Sequence, residues 1–137
     1  MLKDAASTTI DNFVINNSVL DSLSNYGVLT VDNAACKVNN ISIKNSTIYK
    51  AEKVITSRQN SVSLVLENCT INEAPLGGDT NYLIDYSTSA TNTVSGGIII
   101  VNCILGIAKS GVINNRIVKG IRTNAATQIS VSNTFKT

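Results

Sequence analysis

Few side chains in this 137-residue chain could perform chemistry, and they are scattered along it. Histidine is absent, which excludes Ser-His and Cys-His nucleophiles and metal centres built on imidazole. The nine acidic residues include no Asp-x-Asp or adjacent acidic pair that would indicate an acid–base or metal-binding cluster. The sequence therefore predicts no catalytic residue, no metal ligand and no cofactor.

One neighbourhood carries residue types that suit the binding of a sugar. Tyr82, Asp85 and Tyr86 lie in one predicted strand, and Arg58 lies at the end of a strand in the preceding coil. Tyrosine rings can stack on sugar rings, while Asp and Arg can bond hydroxyl or carboxylate groups. Strand alternation, however, puts both tyrosines on the face of Ile84. A competing interpretation is therefore that the tyrosines fill the core and Asp85 pairs with Arg58 at the surface.

The charge pattern narrows the class of partner. The net charge is +2 and only 15% of residues are charged, which does not fit a nucleic-acid-binding protein. The apolar run from Ile98 to Ile107 is too short to span a bilayer, so we predict no membrane insertion. Four basic residues of one stretch could face an acidic polysaccharide or act as solvated edge charges: Lys109, Arg116, Lys119 and Arg122.

The three cysteines, Cys36, Cys69 and Cys103, are widely spaced and odd in number. No histidine is present to join them in a metal site. A disulfide framework is not expected from this pattern, and we interpret the thiols as small buried apolar groups.

Composition favours an all-β fold. The chain has 18 Asn, 15 Ser and 14 Thr, a single proline and no 3.6-residue apolar rhythm. β-Branched residues favour strands, and asparagine favours turns. Aromatic residues make up 4%, which is low for the wide core of a β-sandwich, the alternative fold, but sufficient for a β-helix filled by stacked aliphatic rows.

A strand–asparagine–strand phrase returns five times and indicates one corner of a coiled parallel sheet. The residue after each corner is small (Ser, Cys or Thr), and the third residue after it is aliphatic in every copy but the last. Asparagine tolerates the left-handed backbone of a sharp bend, and its amide can hydrogen-bond along a stack of coils. The corner residues are Asn17, Asn45, Asn68, Asn102 and Asn133.

Over roughly residues 13–137, this pattern resembles the right-handed parallel β-helix proteins of the pectate-lyase-like superfamily, which bend between their second and third sheets at such an Asn ladder. The chain is also similar to small pectate-lyase-like modules of gut bacteria. The resemblance implies secretion or attachment to the cell surface, and a saccharide groove where Tyr82, Asp85 and Tyr86 would lie. The acidic calcium cluster and catalytic arginine of a pectate lyase cannot be matched residue by residue in this sequence.

We expect residues 1–12 to be a lead-in or partial cap and residues 13–137 to be a single-stranded right-handed parallel β-helix of about five coils, within a longer protein. The expected function is that of a non-catalytic domain of a secreted or cell-surface bacterial protein that binds polysaccharide. One alternative is a structural or adhesive solenoid that makes end-to-end or adjacent-domain contacts. Another is a divergent polysaccharide lyase that uses Arg58 or Arg116 with a calcium site formed by acidic residues.

Overall fold

The computed structural model describes residues 7–23, 27–76, 82–86, 92–106 and 120–136. Within these ranges the regular structure consists of 14 short β-strands, and no helix of the length and hydropathy needed to cross a bilayer occurs. All strand pairs are parallel, which confirms the prediction of an all-β parallel β-helix.

The strands form three sheets; each of the first four coils contributes one strand to each sheet in turn, and the fifth contributes one strand to each of the first two. The pre-corner sheet contains β1 (Thr9–Asn16), β4 (Lys37–Lys44), β7 (Ser63–Glu67), β10 (Ile98–Val101) and β13 (Ile129–Ser132). The post-corner sheet contains β2 (Val19–Asp21), β5 (Thr47–Tyr49), β8 (Thr70–Asn72), β11 (Ile104–Gly106) and β14 (Phe135–Lys136). The third sheet contains β3 (Leu29–Val31), β6 (Ile55–Ser57), β9 (Ile84–Asp85) and β12 (Ile121–Arg122).

Strand order within each sheet follows coil order, so every coil lies directly on the one before it. The first coil begins earlier than expected, because β1 starts at Thr9, ahead of the predicted coil boundary at Phe13, and Thr9 pairs in register with Lys37. The sequence also predicts a strand over residues 111–121; of these, only Gly120 and Ile121 are among the described residues, and β12 begins at Ile121.

The core is built from inward rows that repeat at the same place in each coil. Burying an aliphatic side chain of this kind contributes roughly 1.5–3 kcal/mol. Ile15 and Val131 occupy the same row in the first and last coils and are only half-buried, because each has a described coil on one side alone. The predicted inward positions of the middle coils are almost completely buried: Ile43, Leu66 and Ile100 before the corner, and Ile48, Ile71 and Leu105 after it.

The corner between the first two sheets has a left-handed backbone in every coil. The side-chain amide of Asn68 donates to Oδ1 of Asn45 at 2.9 Å, and that of Asn102 donates to Oδ1 of Asn68 at 3.1 Å. In the first coil the ladder shifts by one residue, because Asn45 donates to Oδ1 of Asn16 at 2.9 Å and not to Asn17. Positive φ angles between 46° and 55° occur at Asn17, Asn45, Asn68, Asn102 and Asn133.

A second left-handed corner follows the post-corner strands, and the sequence analysis missed it. Ser22, Lys50 and Glu73 have φ angles of 56°, 52° and 49°, although this region costs an ordinary residue roughly 1–2 kcal/mol. Hydrogen bonds between coils hold the bend, since the amides of Ser22 and Lys50 donate to the carbonyls of Tyr49 and Asn72. The stacking of coils therefore fixes this corner without a residue type that prefers it.

Substitutions at Asn68 separate the two contributions of the ladder. We expect Asn68→Ala to lower the free energy of unfolding more than Asn68→Gly does, by about 1 kcal/mol, because alanine is strained at positive φ and glycine is not. Both variants lose the two amide bonds equally. Urea unfolding monitored by circular dichroism measures the difference, and equal losses in the two variants would show that φ is not the constraint at this corner.

Candidate functional site

The third sheet places one column of polar side chains on its outer face. The register pairs Thr30 with Thr56, Thr56 with Asp85, and Asp85 with Arg122, so one such residue comes from each of four successive coils. The neighbouring column alternates inward and contains buried Leu29 and its counterparts in the later coils. Two of the outer residues carry opposite charges in adjacent coils.

Asp85 and Arg122 form a bidentate ion pair. Nε of Arg122 donates to Oδ1 of Asp85 at 2.9 Å, and Nη2 donates to Oδ2 at 2.6 Å. Asp85 is 5% exposed, whereas the Arg122 side chain keeps 31% of its surface in contact with solvent. Because paired N–H groups match a carboxylate in both geometry and charge, this contact satisfies Asp85, while the Arg122 side chain remains partly exposed.

Tyr82 lies beside this ion pair. The Arg122 guanidinium carbon is 4.5 Å from the centre of the Tyr82 ring, a cation–π contact, and Tyr82 itself is largely buried. Tyr82 precedes β9, so the alternation of that strand does not decide which side of the sheet it occupies. The ring contacts the outer column through Arg122.

Tyr86 lies in the interior. Its side chain is fully buried, and its hydroxyl donates to Oγ of Ser61 at 2.9 Å. Ser61 in turn donates to the carbonyl of Val38 at 2.7 Å. Burial raises the pKa of Tyr86 to about 12. This tyrosine therefore packs as the competing interpretation expected, and its ring face is not open to a sugar.

Arg58 pairs with a residue other than Asp85. Its Nε donates to Oδ1 of Asp32 at 2.9 Å, and half of its side-chain surface is exposed. The expected surface pair between Asp85 and Arg58 is wrong. Arg58 bonds to Asp32 in the coil before it, and Asp85 bonds to Arg122 in the coil after it. Sequence reasoning noted Arg122 only as one of four basic residues. The other three, Lys109, Arg116 and Lys119, lie outside the described residues.

Thr56 contributes an unusual polar atom to the same column. Its Oγ1 is buried and has no hydrogen-bond partner among the described residues. The strand register places Thr56 between Thr30 and Asp85. A buried hydroxyl without a protein partner usually bonds to a water molecule or to a group of a ligand.

A separate polar group lies at the second corner. The Tyr49 hydroxyl donates to Oε1 of Glu73 at 2.6 Å, and Nζ of Lys50 lies 4.8 Å from the centre of the Tyr49 ring. The hydrogen bond to Glu73 raises the pKa of Tyr49, and the bond to Tyr49 raises that of Lys50. No group of three or more metal-ligating residues occurs in the part of the chain that the structure describes.

The burial of Tyr86 predicts a specific loss of stability at alkaline pH. The folded pKa of about 12 exceeds the usual value for tyrosine, so the stability from this group is fully present below about pH 10 and is lost as the pH rises towards 12. Urea midpoints at pH 8 and pH 11 should show that wild type loses about 1 kcal/mol more than Tyr86→Phe. Tyr82→Phe serves as the control, because it leaves Tyr86 in place. An identical pH dependence in wild type and Tyr86→Phe would contradict the interior placement.

Comparisons with protein-family models, with curated proteins and with solved structures found no match for this chain.

Proposed function

We propose that this chain is a non-catalytic structural solenoid, a rigid β-helix segment of a secreted or cell-surface bacterial protein. One observation carries the proposal: the side chains that could have formed a binding groove are bonded to other residues of the chain. Tyr86 bonds to Ser61 in the core, Asp85 is satisfied by Arg122, and Arg58 bonds to Asp32. The resemblance to pectate-lyase-like proteins supports the proposed location.

The hydrogen bonding between coils supports a load-bearing role. In a solenoid, each repeat contacts its neighbours, and stability grows with the number of interfaces between repeats. These contacts continue through the corners, where the amides of Asn45, Asn68 and Asn102 donate to carbonyls of the next coil. The ladder of side-chain amides runs beside them.

The ends of the stack support association along its axis. Among the described residues, β1 and β13 each have a strand neighbour on one side alone. Phe13 and Ile15 are half-buried at one end, and Ile129 and Val131 at the other. A further coil in the same parallel register could cover either end, whether it came from an adjacent domain or from a second copy.

This role predicts self-association that increases with protein concentration. Sedimentation velocity over a range of concentrations should show oligomers that Val131→Lys suppresses, because the substitution puts a charge in the inward row of the end coil. Ser130→Lys is the matched control, since it adds the same charge to the outer face of β13. A single monomeric species at every concentration would argue against a role that depends on the ends.

Acidic saccharide binding at the third sheet is a second candidate, favoured by the cluster of Tyr82, Arg122 and Asp85 on the outer column. The partly exposed Arg122 side chain could bond a sugar carboxylate, and the unpartnered Oγ1 of Thr56 lies in the same column. The Tyr82 ring packs against the Arg122 guanidinium, whose carbon lies 4.5 Å from the ring centre.

Calorimetric titration with oligogalacturonides tests this second candidate. Arg122→Lys should weaken binding by about tenfold or more, because lysine cannot keep the bidentate bond to Asp85 while it contacts the ligand. Arg58→Lys is the control and should bind as wild type does. Binding that is unchanged in Arg122→Lys, or heat absent from wild type, would exclude this surface, and release of unsaturated products would indicate a lyase.

A further inference from the structure

One inward row of small side chains has the same conformation in successive coils. Oγ of Ser46 donates to the carbonyl two residues earlier at 2.6 Å, and Oγ1 of Thr134 does so at 3.0 Å. The thiols of Cys69 and Cys103 make the equivalent contact, each at 3.3 Å. The four side chains therefore leave the backbone in the same direction at the same point of the coil.

The two cysteines are direct neighbours in this row. The register pairs Thr70 with Ile104, one residue further on, and the amide of Ile104 donates to the carbonyl of Cys69 at 2.9 Å. Neighbouring strands lie roughly 4.8 Å apart, which falls inside the Cα separation of about 4.4–6.8 Å found across disulfides. The two cysteines are therefore close enough for a disulfide to link their side chains.

The thiols already interact with one another. The interaction with Cys103 lowers the pKa of the Cys69 thiol, whereas the interaction with Cys69, together with burial, raises the pKa of Cys103. Cys69 is thus the sulfur more readily deprotonated, and the thiolate is the nucleophilic form. Both residues are nearly inaccessible, at 2% and 1% exposure, so that a small oxidant suits the site better than a bulky one.

We propose that Cys69 and Cys103 form an oxidation site, at which hydrogen peroxide converts the stacked thiols into a disulfide that links the third and fourth coils. The Cys69 thiolate attacks one peroxide oxygen, the O–O bond breaks, and Cys69 sulfenic acid and hydroxide result. The Cys103 sulfur then attacks the Cys69 sulfur, the S–O bond breaks, and water leaves. The Cys103 proton leaves with that water, and the proton that Cys69 released on forming its thiolate neutralises the hydroxide, so two thiols and one peroxide give one disulfide and two waters.

Cys36 does not belong to this site. It is a buried thiol that precedes β4, whereas the small row follows the pre-corner strands at their other end. Ser46 occupies the row in that coil. The cross-link should therefore involve Cys69 and Cys103 exclusively and should leave Cys36 reduced.

Mass spectrometry of the folded chain after treatment with hydrogen peroxide tests the proposal. We expect a loss of two hydrogens from the intact mass, a single remaining thiol, and a peptide that joins Cys69 to Cys103 and disappears on reduction. Thermal unfolding should shift to higher temperature in the oxidised protein and return after reduction, because the bridge constrains the unfolded chain. Cys36→Ser should give the same bridge as wild type.

Two further variants test the roles of the sulfurs. Serine occurs naturally in this row at Ser18 and Ser46, so Cys69→Ser and Cys103→Ser should keep the fold. Cys103→Ser should accumulate a sulfenic acid at Cys69 that dimedone traps when the oxidised protein is unfolded in its presence, whereas Cys69→Ser should leave Cys103 unmodified. Three intact thiols in peroxide-treated wild type, a bridge that includes Cys36, or cross-linked dimers in place of an internal bridge would overturn the proposal.

Discussion

The hydrogen-bonded spacing between coils is the constraint on which the rest of this structure depends. Parallel strands roughly 4.8 Å apart force each residue to lie on its counterpart in the next coil. The side chains of one row must therefore pack well against one another. A single polar residue placed inward would lie against aliphatic neighbours on both sides. The aliphatic rows through Ile43, Leu66 and Ile100 meet this condition, and the asparagine ladder meets it with amides that donate to the preceding coil and accept from the following one.

The same constraint arranges the charges. Lys44 and Glu67 are register partners, and their side chains form an ion pair at 2.7 Å. Asp85 and Arg122 are also register partners. These pairs are separated by more than twenty residues in sequence but are adjacent in the stack. In a protein of this shape, electrostatic contacts run along the solenoid axis, and each one joins two coils.

The coil phrase could be predicted from sequence because its signals are local. An asparagine, a small residue beside it and aliphatic residues at fixed offsets are visible within a ten-residue window. The partners of Asp85 and Arg58 could not be predicted. Loops of different length separate the coils, so the spacing in sequence does not show which residues are paired in adjacent coils. The second corner was missed for another reason: Ser22, Lys50 and Glu73 are chemically unlike one another, and none prefers a left-handed backbone. Their constant distance of five residues from the corner asparagine was the one signal available.

That second corner also bears on how such a chain can change. At Ser22 and Lys50 the bend is held by backbone hydrogen bonds to the following coil, and these bonds do not involve the side chain at the corner. Serine, lysine and glutamate already occupy equivalent positions, one above another, on the outside of the molecule. Point mutations at this corner can therefore change the surface of the solenoid one coil at a time while the fold stays the same.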